Sequence, residues 1–299
     1  MLLFLIFCYL FTMGAAAGSY AIATLWRLRA QELRTTPVTK LDKSAQSEYN
    51  RLIKDQKLVV KSVRTDHSRC LYCGHRLAWY DLIPIISWLT LHGKCRYCKK
   101  SIGSTEVIAE IGLGVLFVLS YAVLKNIVWW PSVVLWLMLL VILTILFFYD
   151  LKWQLLPTSV LWLGIALSVA MAGVNIYNQH SQGTLTSSII YGYLMAWTIL
   201  AGLYLLLSKI SHEKWVGSGD AYVATIMALV LGDWRLAFVS LFLANFLGCV
   251  VVFGMAVIKK KNVRRMRVAF APMLIASLIM VYLLQWVILQ KISWLMFDV

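Results

Sequence analysis

The sequence predicts an all-α polytopic membrane protein with about eight transmembrane helices and one long polar loop. Hydrophobic residues make up 61% of the 299 positions, and 13 of the residues are tryptophan. The mean hydropathy is +0.77, and apolar runs of about 18 residues or more recur along the chain, as expected of membrane-spanning helices. This composition excludes an ordinary soluble globular domain.

We predict eight spans from these apolar runs. The polar segment 177–183 divides a long uncharged stretch into two spans, and the segment 220–232 is short for a helix that crosses a bilayer. We therefore expect that short helix to be tilted or covered by its neighbours. The predicted spans are 2–26, 105–124, 130–149, 156–176, 187–208, 220–232, 236–258 and 269–290. The corresponding domains are the first helix (1–26), a cytoplasmic loop (27–103) and a helical bundle (104–299).

The distribution of basic residues predicts the orientation. No basic residue precedes the first span, whereas Arg27, Arg29 and Arg34 follow it, which favours an uncleaved helix with its C-terminal end in the cytoplasm. With this orientation, the cytoplasmic loops together carry 25 of the 28 Lys and Arg residues, including the run 259–267. The net charge of +15 is accounted for by topology and anionic lipid, so we predict a lipid bilayer and no nucleic acid as partner.

Two aspartates lie at the same membrane face in this topology. Asp150 ends the third span and Asp220 begins the sixth, and two intervening spans carry the chain out and back. Ionisable residues in membrane helices are rare and usually functional. Two close carboxylates share one proton, and such a pair can activate water and protonate the leaving amine in amide hydrolysis. Gly217 and Gly219 leave the backbone beside Asp220 open to an approaching peptide. We predict an aspartic peptidase with Asp150 and Asp220 as its catalytic residues.

Other roles for the acidic residues stay open at this stage. Each aspartate could instead pair with a neighbouring base, such as Lys152 or Lys214, or cap a helix. Glu106 suits a helix N-terminus, whereas Glu110 lies deeper and is left unassigned. Asp233 falls on the opposite membrane face and is predicted not to join the pair.

The polar loop carries four cysteines in two C-x2-C pairs. Twenty-one residues, Gly74 to Lys94, separate the two pairs, slightly more than is common in zinc ribbons. Two such pairs in a polar loop favour structural zinc bound by four thiolates. A reducing cytoplasm makes two disulfides the weaker interpretation, and His75 could replace one thiolate. The predicted zinc ligands are Cys70, Cys73, Cys95 and Cys98. For the preceding segment 27–69, a helix-containing linker and a partly disordered arm both remain open.

Several motifs together resemble the type IV prepilin peptidase family. Residues 70–102, CLYCGHRLAWYDLIPIISWLTLHGKCRYCKKSI, are similar to its tetracysteine loop almost residue for residue, and Glu110 matches the glutamate that follows. Tyr149-Asp150-Leu151 and Gly217-Ser218-Gly219-Asp220 resemble its two aspartate motifs. Gly18-Ser19-Tyr20 and Phe270-Ala271-Pro272-Met273-Leu274 resemble motifs in the first span and before the last. Thr158 and Tyr222 depart from the family pattern, in which aspartate and lysine are usual.

The resemblance implies cleavage of a basic leader peptide from type IV prepilins or pseudopilins at the cytoplasmic face of the bacterial inner membrane. It also implies N-methylation of the new terminus with S-adenosylmethionine as donor. The residues by themselves indicate only the peptidase. Alternatives are a presenilin-like intramembrane aspartic protease, which the tetracysteine loop disfavours, a proton-coupled transporter with the aspartates as relay groups, and a zinc-containing membrane adaptor without catalysis.

Overall fold

The computed structural model describes residues 1–37, 43–50, 68–184, 186–213, 216–259 and 268–297. Within these ranges, seven helices are long and apolar enough to cross a membrane, and one shorter apolar helix accompanies them. These eight helices match the eight predicted spans and confirm the all-helical membrane architecture. Lys214, Trp215 and residues 260–267 lie outside the described residues, so the ion-pair alternative for Lys214 and most of the basic run are not described.

The chain divides into two compact units, Met1–Leu119 and Ser120–Val299. The first unit contains the tetracysteine segment and two long helices, the second of which continues into the second unit. Its helices are α1 Leu2–Thr35, α2 Lys43–Tyr49, α3 Ile86–Thr90 and α4 Thr105–Leu124.

Helix α1 continues to Thr35, beyond the uncharged segment that ends at Trp26. The residues that follow are mostly good helix formers, and their charges limit membrane burial without interrupting the helix. Buried Arg29 lies in this extension and pairs with Glu48 of α2 at 3.0 Å. Part of the segment 27–69 is therefore helical, and its residues 38–42 and 51–67 lie outside the described residues.

Small residues allow α1 and α4 to pack closely. A Cβ atom added at Gly18 would lie 2.6 Å from the carbonyl oxygen of Ala109, and one at Gly14 would lie 2.7 Å from that of Leu113. Closely spaced small residues let helix backbones approach in this way in membrane proteins. Gly14 and Gly18 of the first span therefore lie on the face of α1 that contacts α4.

The second unit is a helical bundle around one short central helix. Helix α9 packs against α6, α7, α8, α10 and α11, and most of its side chains are buried. Its position explains why a helix of only 14 residues can belong to a membrane bundle: its neighbours cover it. The helices of this unit are α5 Trp130–Trp153, α6 Thr158–Ser181, α7 Ser187–Trp197, α8 Leu203–Ile210, α9 Ser218–Leu231, α10 Trp234–Lys259 and α11 Ala271–Phe297.

Local sequence signals set the ends of these helices. Pro131 lies in the first turn of α5, where a missing N–H costs no hydrogen bond. Gln154 and Gly232 end α5 and α9 in the left-handed conformation, with φ of 53° and 62°. Helices α7 and α8 form one span, Ser187–Ile210, interrupted by a π-helical turn at Thr198–Gly202.

The contact between α1 and α4 predicts an effect on stability. Gly18→Val should lower the free energy of unfolding by about 1–3 kcal/mol, because the added carbons would overpack against the α4 backbone. Thermal unfolding in detergent measures this loss. Gly112→Val is the matched control on α4, since a Cβ there meets nothing within 4 Å. Equal losses in the two variants would contradict the packing argument.

Candidate active site and metal centre

Asp150 lies in the last turns of α5, with its side chain inside the bundle. The residue is 6% exposed and its neighbour Tyr149 is 2% exposed. A buried carboxylate requires hydrogen-bond donors, because an unpaired buried charge is very costly. The Ala271 backbone N–H, the first of α11, donates to Asp150 Oδ2 at 3.1 Å. A helix N-terminus suits this role, since its first N–H groups have no partners within the helix and its dipole favours a negative charge.

Asp220 lies in the first turn of α9, which begins after Gly217. The carboxylate interacts electrostatically with that of Asp150 and with the backbone of Gly217. The chain reaches this end of the bundle at the end of α5, leaves it along α6 and returns along α7 and α8. The two carboxylates therefore lie at one end of the helices, as the topology predicted.

Two helices hold α5 and α9 in register. Both α6 and α11 pack against α5 and against α9. A Cβ atom added at Gly164 of α6 would lie 2.8 Å from Ile226 of α9 and 3.4 Å from Ile142 of α5. At Gly219 it would lie 2.8 Å from Leu156, in the connection between α5 and α6. A side chain in place of the glycine before Asp220 would therefore displace the Leu156 side chain.

Sequence reasoning missed a polar pair beside Asp220. Tyr204 of α8 is 2% exposed and interacts electrostatically with Asp220. Its hydroxyl accepts a hydrogen bond from the Asn245 side chain of α10 at 3.3 Å. The ring centroids of Tyr204 and Phe270 are 5.8 Å apart. Phe270 directly precedes Ala271, whose N–H donates to Asp150. Polar side chains within the otherwise apolar segments 187–208 and 236–258 were the available signal.

The remaining acids lie elsewhere. Asp233 follows α9 at the opposite end of the bundle and pairs with Arg235 at 2.8 Å, so it does not join the pair, as predicted. Glu110 belongs to the first unit, where its buried carboxylate accepts a hydrogen bond from the Ile85 N–H at 2.7 Å. It also interacts with Ser19 of α1. Glu110 therefore ties the tetracysteine segment to α1 and α4.

The four loop cysteines form one cluster. Their sulfur atoms all lie within 4.8 Å of one another, and those of Cys70 and Cys98 are 3.9 Å apart. Tetrahedral zinc with Zn–S bonds of about 2.3 Å requires sulfur separations of about 3.8 Å. A disulfide would require about 2.05 Å, and all four cysteines are free. The cluster is able to hold a metal ion, with its donor set and spacing suited to zinc.

The two cysteine pairs have the same local conformation. Cys70 and Cys95 donate their N–H groups to the carbonyls of His75 and Lys100, each five residues ahead. Gly74 and Lys99, which follow the second cysteine of each pair, have φ of 71° and 58°. With this conformation, both turns direct their cysteine thiols toward the common cluster. His75 instead stacks against Tyr97, with ring centroids 3.6 Å apart, so the cluster consists of the four thiols.

Surrounding contacts stabilise the cluster. Asp81 accepts hydrogen bonds from Arg96 Nε at 2.8 Å and from the Ala78 N–H at 3.3 Å, which fastens the intervening segment to the second cysteine pair. Burial raises the pKa of the Cys70 thiol to about 12. A metal cation would stabilise the thiolate form there, since metal binding and thiol deprotonation are linked.

Comparison with known proteins identifies the family of the chain. Residues 12–124 match the Bacterial Peptidase A24 N-terminal domain, and residues 137–253 match the Type IV leader peptidase family. The chain belongs to the type IV leader peptidase family. These two matches together cover about three quarters of the chain and confirm the resemblance that the motifs indicated.

Curated relatives carry the name prepilin leader peptidase/N-methyltransferase. One from Myxococcus xanthus is 30% identical over 196 residues, which are 64% of this chain and 54% of the relative. One from Dichelobacter nodosus is 30% identical over 194 residues, 62% of each chain. One from Vibrio cholerae is 28% identical over 170 residues, 57% of this chain and 64% of the relative. The chain thus spans between about half and two thirds of the length of these relatives. No solved structure matched the chain.

Proposed function

We propose that this protein removes the basic leader peptide from type IV prepilins or pseudopilins, with Asp150 and Asp220 as its catalytic pair. The observation that carries the proposal is the meeting of two acids, 70 positions apart in sequence, at one end of an apolar bundle where their charges interact. Membership of the leader peptidase family and the names of the relatives supply the substrate class. The proposed location is the bacterial inner membrane, with the aspartates facing the cytoplasm.

The proposed chemistry is hydrolysis of one peptide bond. One carboxylate, as the base, removes a proton from a water molecule while the water oxygen attacks the carbonyl carbon of the leader junction. The other carboxyl, which holds the shared proton, protonates the nitrogen of the departing amine as the C–N bond breaks. The Ala271 N–H stabilises the Asp150 carboxylate. Because the pair is coupled, its titration belongs to both residues together.

We further propose that Cys70, Cys73, Cys95 and Cys98 hold one structural zinc ion. Zinc would cross-link the two turns of a segment that has little apolar core of its own. Methylation of the new N-terminus with S-adenosylmethionine as donor is proposed from the names of the relatives alone. Family membership favours the leader peptidase over the presenilin-like protease and over the proton-coupled transporter.

Replacement of either aspartate tests the catalytic pair. Asp150→Asn and Asp220→Asn should each slow leader removal by about 10²–10⁴-fold, the contribution typical of a general acid or base, with unchanged expression and helix content. Cleavage of a purified prepilin, followed by mass spectrometry, measures the rate. Glu213→Gln, an exposed acid just before α9, is the control and should cleave at the parental rate. Parental activity in Asp220→Asn would refute the assignment.

The N–H donor at Ala271 allows a test that leaves both carboxylates intact. Ala271→Pro removes this N–H, yet proline is tolerated in the first turn of a helix. Loss of a hydrogen bond to a charged group, about 1.5–3 kcal/mol, should lower the cleavage rate by roughly 10–100-fold. Ala271→Gly retains the N–H and should stay near the parental rate. If both variants lose activity equally, the loss reflects packing and not the hydrogen bond.

Elemental analysis tests the metal centre. The purified protein should contain about one zinc ion per chain, and Cys95→Ser should lose most of it because one of four ligands is removed. Cys249→Ser, an exposed cysteine of α10 outside the cluster, should keep the full metal content. Full zinc content in Cys95→Ser would exclude the four-thiolate site.

A further inference from the structure

An apolar stretch, residues 77–93, lies between the two cysteine turns of the first unit. It contains no Lys or Arg, and its one acid, Asp81, has a side chain that is only 4% exposed. Its large apolar side chains, in contrast, are turned outward: Trp79 is 77% exposed, and Ile86 and Leu89 are 59% and 58% exposed. The exposed apolar residues of the stretch are Trp79, Tyr80, Leu82, Ile83, Ile86 and Leu89. A contiguous apolar surface of this kind marks contact with a partner or a membrane.

Two hydrogen bonds fix the depth of the apolar stretch along α4. The Ile85 N–H donates to Glu110 Oε2 at 2.7 Å, and Trp88 Nε1 donates to the Gly103 carbonyl at 3.3 Å. Helix α4 begins at Thr105 and has 20 residues, so its length of about 30 Å equals the thickness of the hydrocarbon core of a bilayer. Glu110 lies five residues after Thr105, which is about 7–8 Å along the helix. The Ile85 N–H bound to it therefore lies inside the apolar region and not above it.

The contact of Glu110 with α1 gives a similar depth. Ser19 of α1 interacts with Glu110 and lies seven residues before Trp26, where the uncharged segment ends. Seven helical residues correspond to about 10 Å. Both helices thus place the Glu110 carboxylate about 7–10 Å inside the apolar region, which agrees with the depth of about 5–10 Å to which interfacial segments bury their apolar faces.

The local backbone holds the apolar stretch at this depth. Ile85 has a φ of 62°, and the Ile86 N–H donates to the Pro84 carbonyl in a three-residue turn around it. A positive φ is costly for a β-branched residue. The turn directs the Ile85 N–H to the buried Glu110 carboxylate, for which a lost donor would be costlier still. Helix α3 follows directly, and Ile86 and Leu89, three positions apart, share one face of it.

Basic residues border the apolar stretch. Arg76 and Lys94 flank its two ends, and both are exposed. The described residues 68–103 carry six Lys and Arg residues against one acid. A zinc ion bound by four thiolates would reduce this positive excess without reversing it. A positive rim around an apolar surface suits a bilayer that contains anionic lipid, and exposed Trp79 and Tyr80 are of the residue types enriched at membrane interfaces.

We propose that the apolar stretch inserts into one leaflet of the bilayer as an interfacial segment. Its exposed side chains contact lipid acyl chains, and the flanking basic residues lie among the head groups. Ile108 and Ile111 are exposed in the same turns of α4, as expected of side chains that meet lipid at this depth. The bond between Asp81 and Arg96 then holds the four-cysteine cluster at the membrane surface. This insertion is independent of the aspartate pair and of the proposed peptidase activity.

Photolabelling from the lipid tests the proposal. The purified full chain is reconstituted into vesicles of phosphatidylcholine and phosphatidylglycerol that contain a phosphatidylcholine with a diazirine in its acyl chain. Trypsin then releases three peptides of this region, 70–76, 77–94 and 101–125, for mass spectrometry. Peptide 77–94 should be labelled, as should peptide 101–125 from α4, whereas peptide 70–76 from the first cysteine turn should not. A diazirine on the head group should label peptide 70–76 as well.

Charged variants test which face of the stretch meets the lipid. Leu89→Glu should lower acyl-chain labelling of peptide 77–94 by roughly fivefold, the upper range for a charge close to the bilayer interface. Ile86→Glu repeats the test at the other exposed position of α3. Tyr72→Glu is the matched control, because it adds the same charge at an exposed aromatic residue of the first cysteine turn and should leave that labelling unchanged. All three variants should melt in detergent near the parental temperature, since the replaced side chains are exposed.

The proposal is overturned if peptide 77–94 stays unlabelled while peptide 101–125 is labelled, whether water, a second copy of the chain or a bound peptide covers the stretch. Equal acyl-chain labelling of peptides 70–76 and 77–94 would also overturn it, because the segment would then have no defined depth. Labelling of peptide 77–94 from the head-group diazirine alone would place the stretch on the membrane surface and contradict insertion. Unchanged labelling in both Leu89→Glu and Ile86→Glu would refute the assigned lipid-facing side.

Discussion

A carboxylate buried in an apolar helical bundle is stable only where the fold supplies a hydrogen-bond donor, and the second unit of this protein depends on that constraint. At Asp150 the donor is the first N–H of α11, which lies 121 positions further along the chain. This contact joins the end of α5 to the beginning of α11. Any arrangement of the bundle that separated these two helix ends would leave a buried charge unpaired, at a cost far larger than that of a single apolar contact.

The position of the central helix α9 is subject to the same constraint, because it carries the second buried carboxylate. A helix of 14 residues is too short to cross a bilayer alone, yet it brings Asp220 to the end of the bundle that holds Asp150. Its neighbours bury nearly all of its apolar side chains, so packing compensates for its length. Gly219 brings its first turn close to the Leu156 side chain, which a larger residue at this position would displace. Gly219 and Asp220 therefore belong to the same turn, in which the glycine packs against Leu156 beside the acid.

The first unit meets a different constraint, because its polar segment has few apolar residues to bury. Two turns of equal geometry bring four thiols together, and Asp81 fastens the chain between them. Glu110, a buried acid without a catalytic role in our proposal, links this segment to α1 and α4 through Ile85 and Ser19. Polar contacts to charged or metal-binding groups here replace much of what an apolar core does in a larger domain.

The sequence by itself determined the spans, the cysteine cluster and the common end of the two aspartates. Hydropathy and basic-residue placement are local properties, and C-x2-C spacing already specifies a turn that can point two thiols at one metal. Which atoms surround the aspartates was decided by the tertiary structure. The Ala271 N–H and the Tyr204–Asn245 pair depend on helices far apart in the chain, and no periodicity or spacing reports such contacts. The sequence specifies which residues enter the membrane, whereas helix packing determines which of them meet.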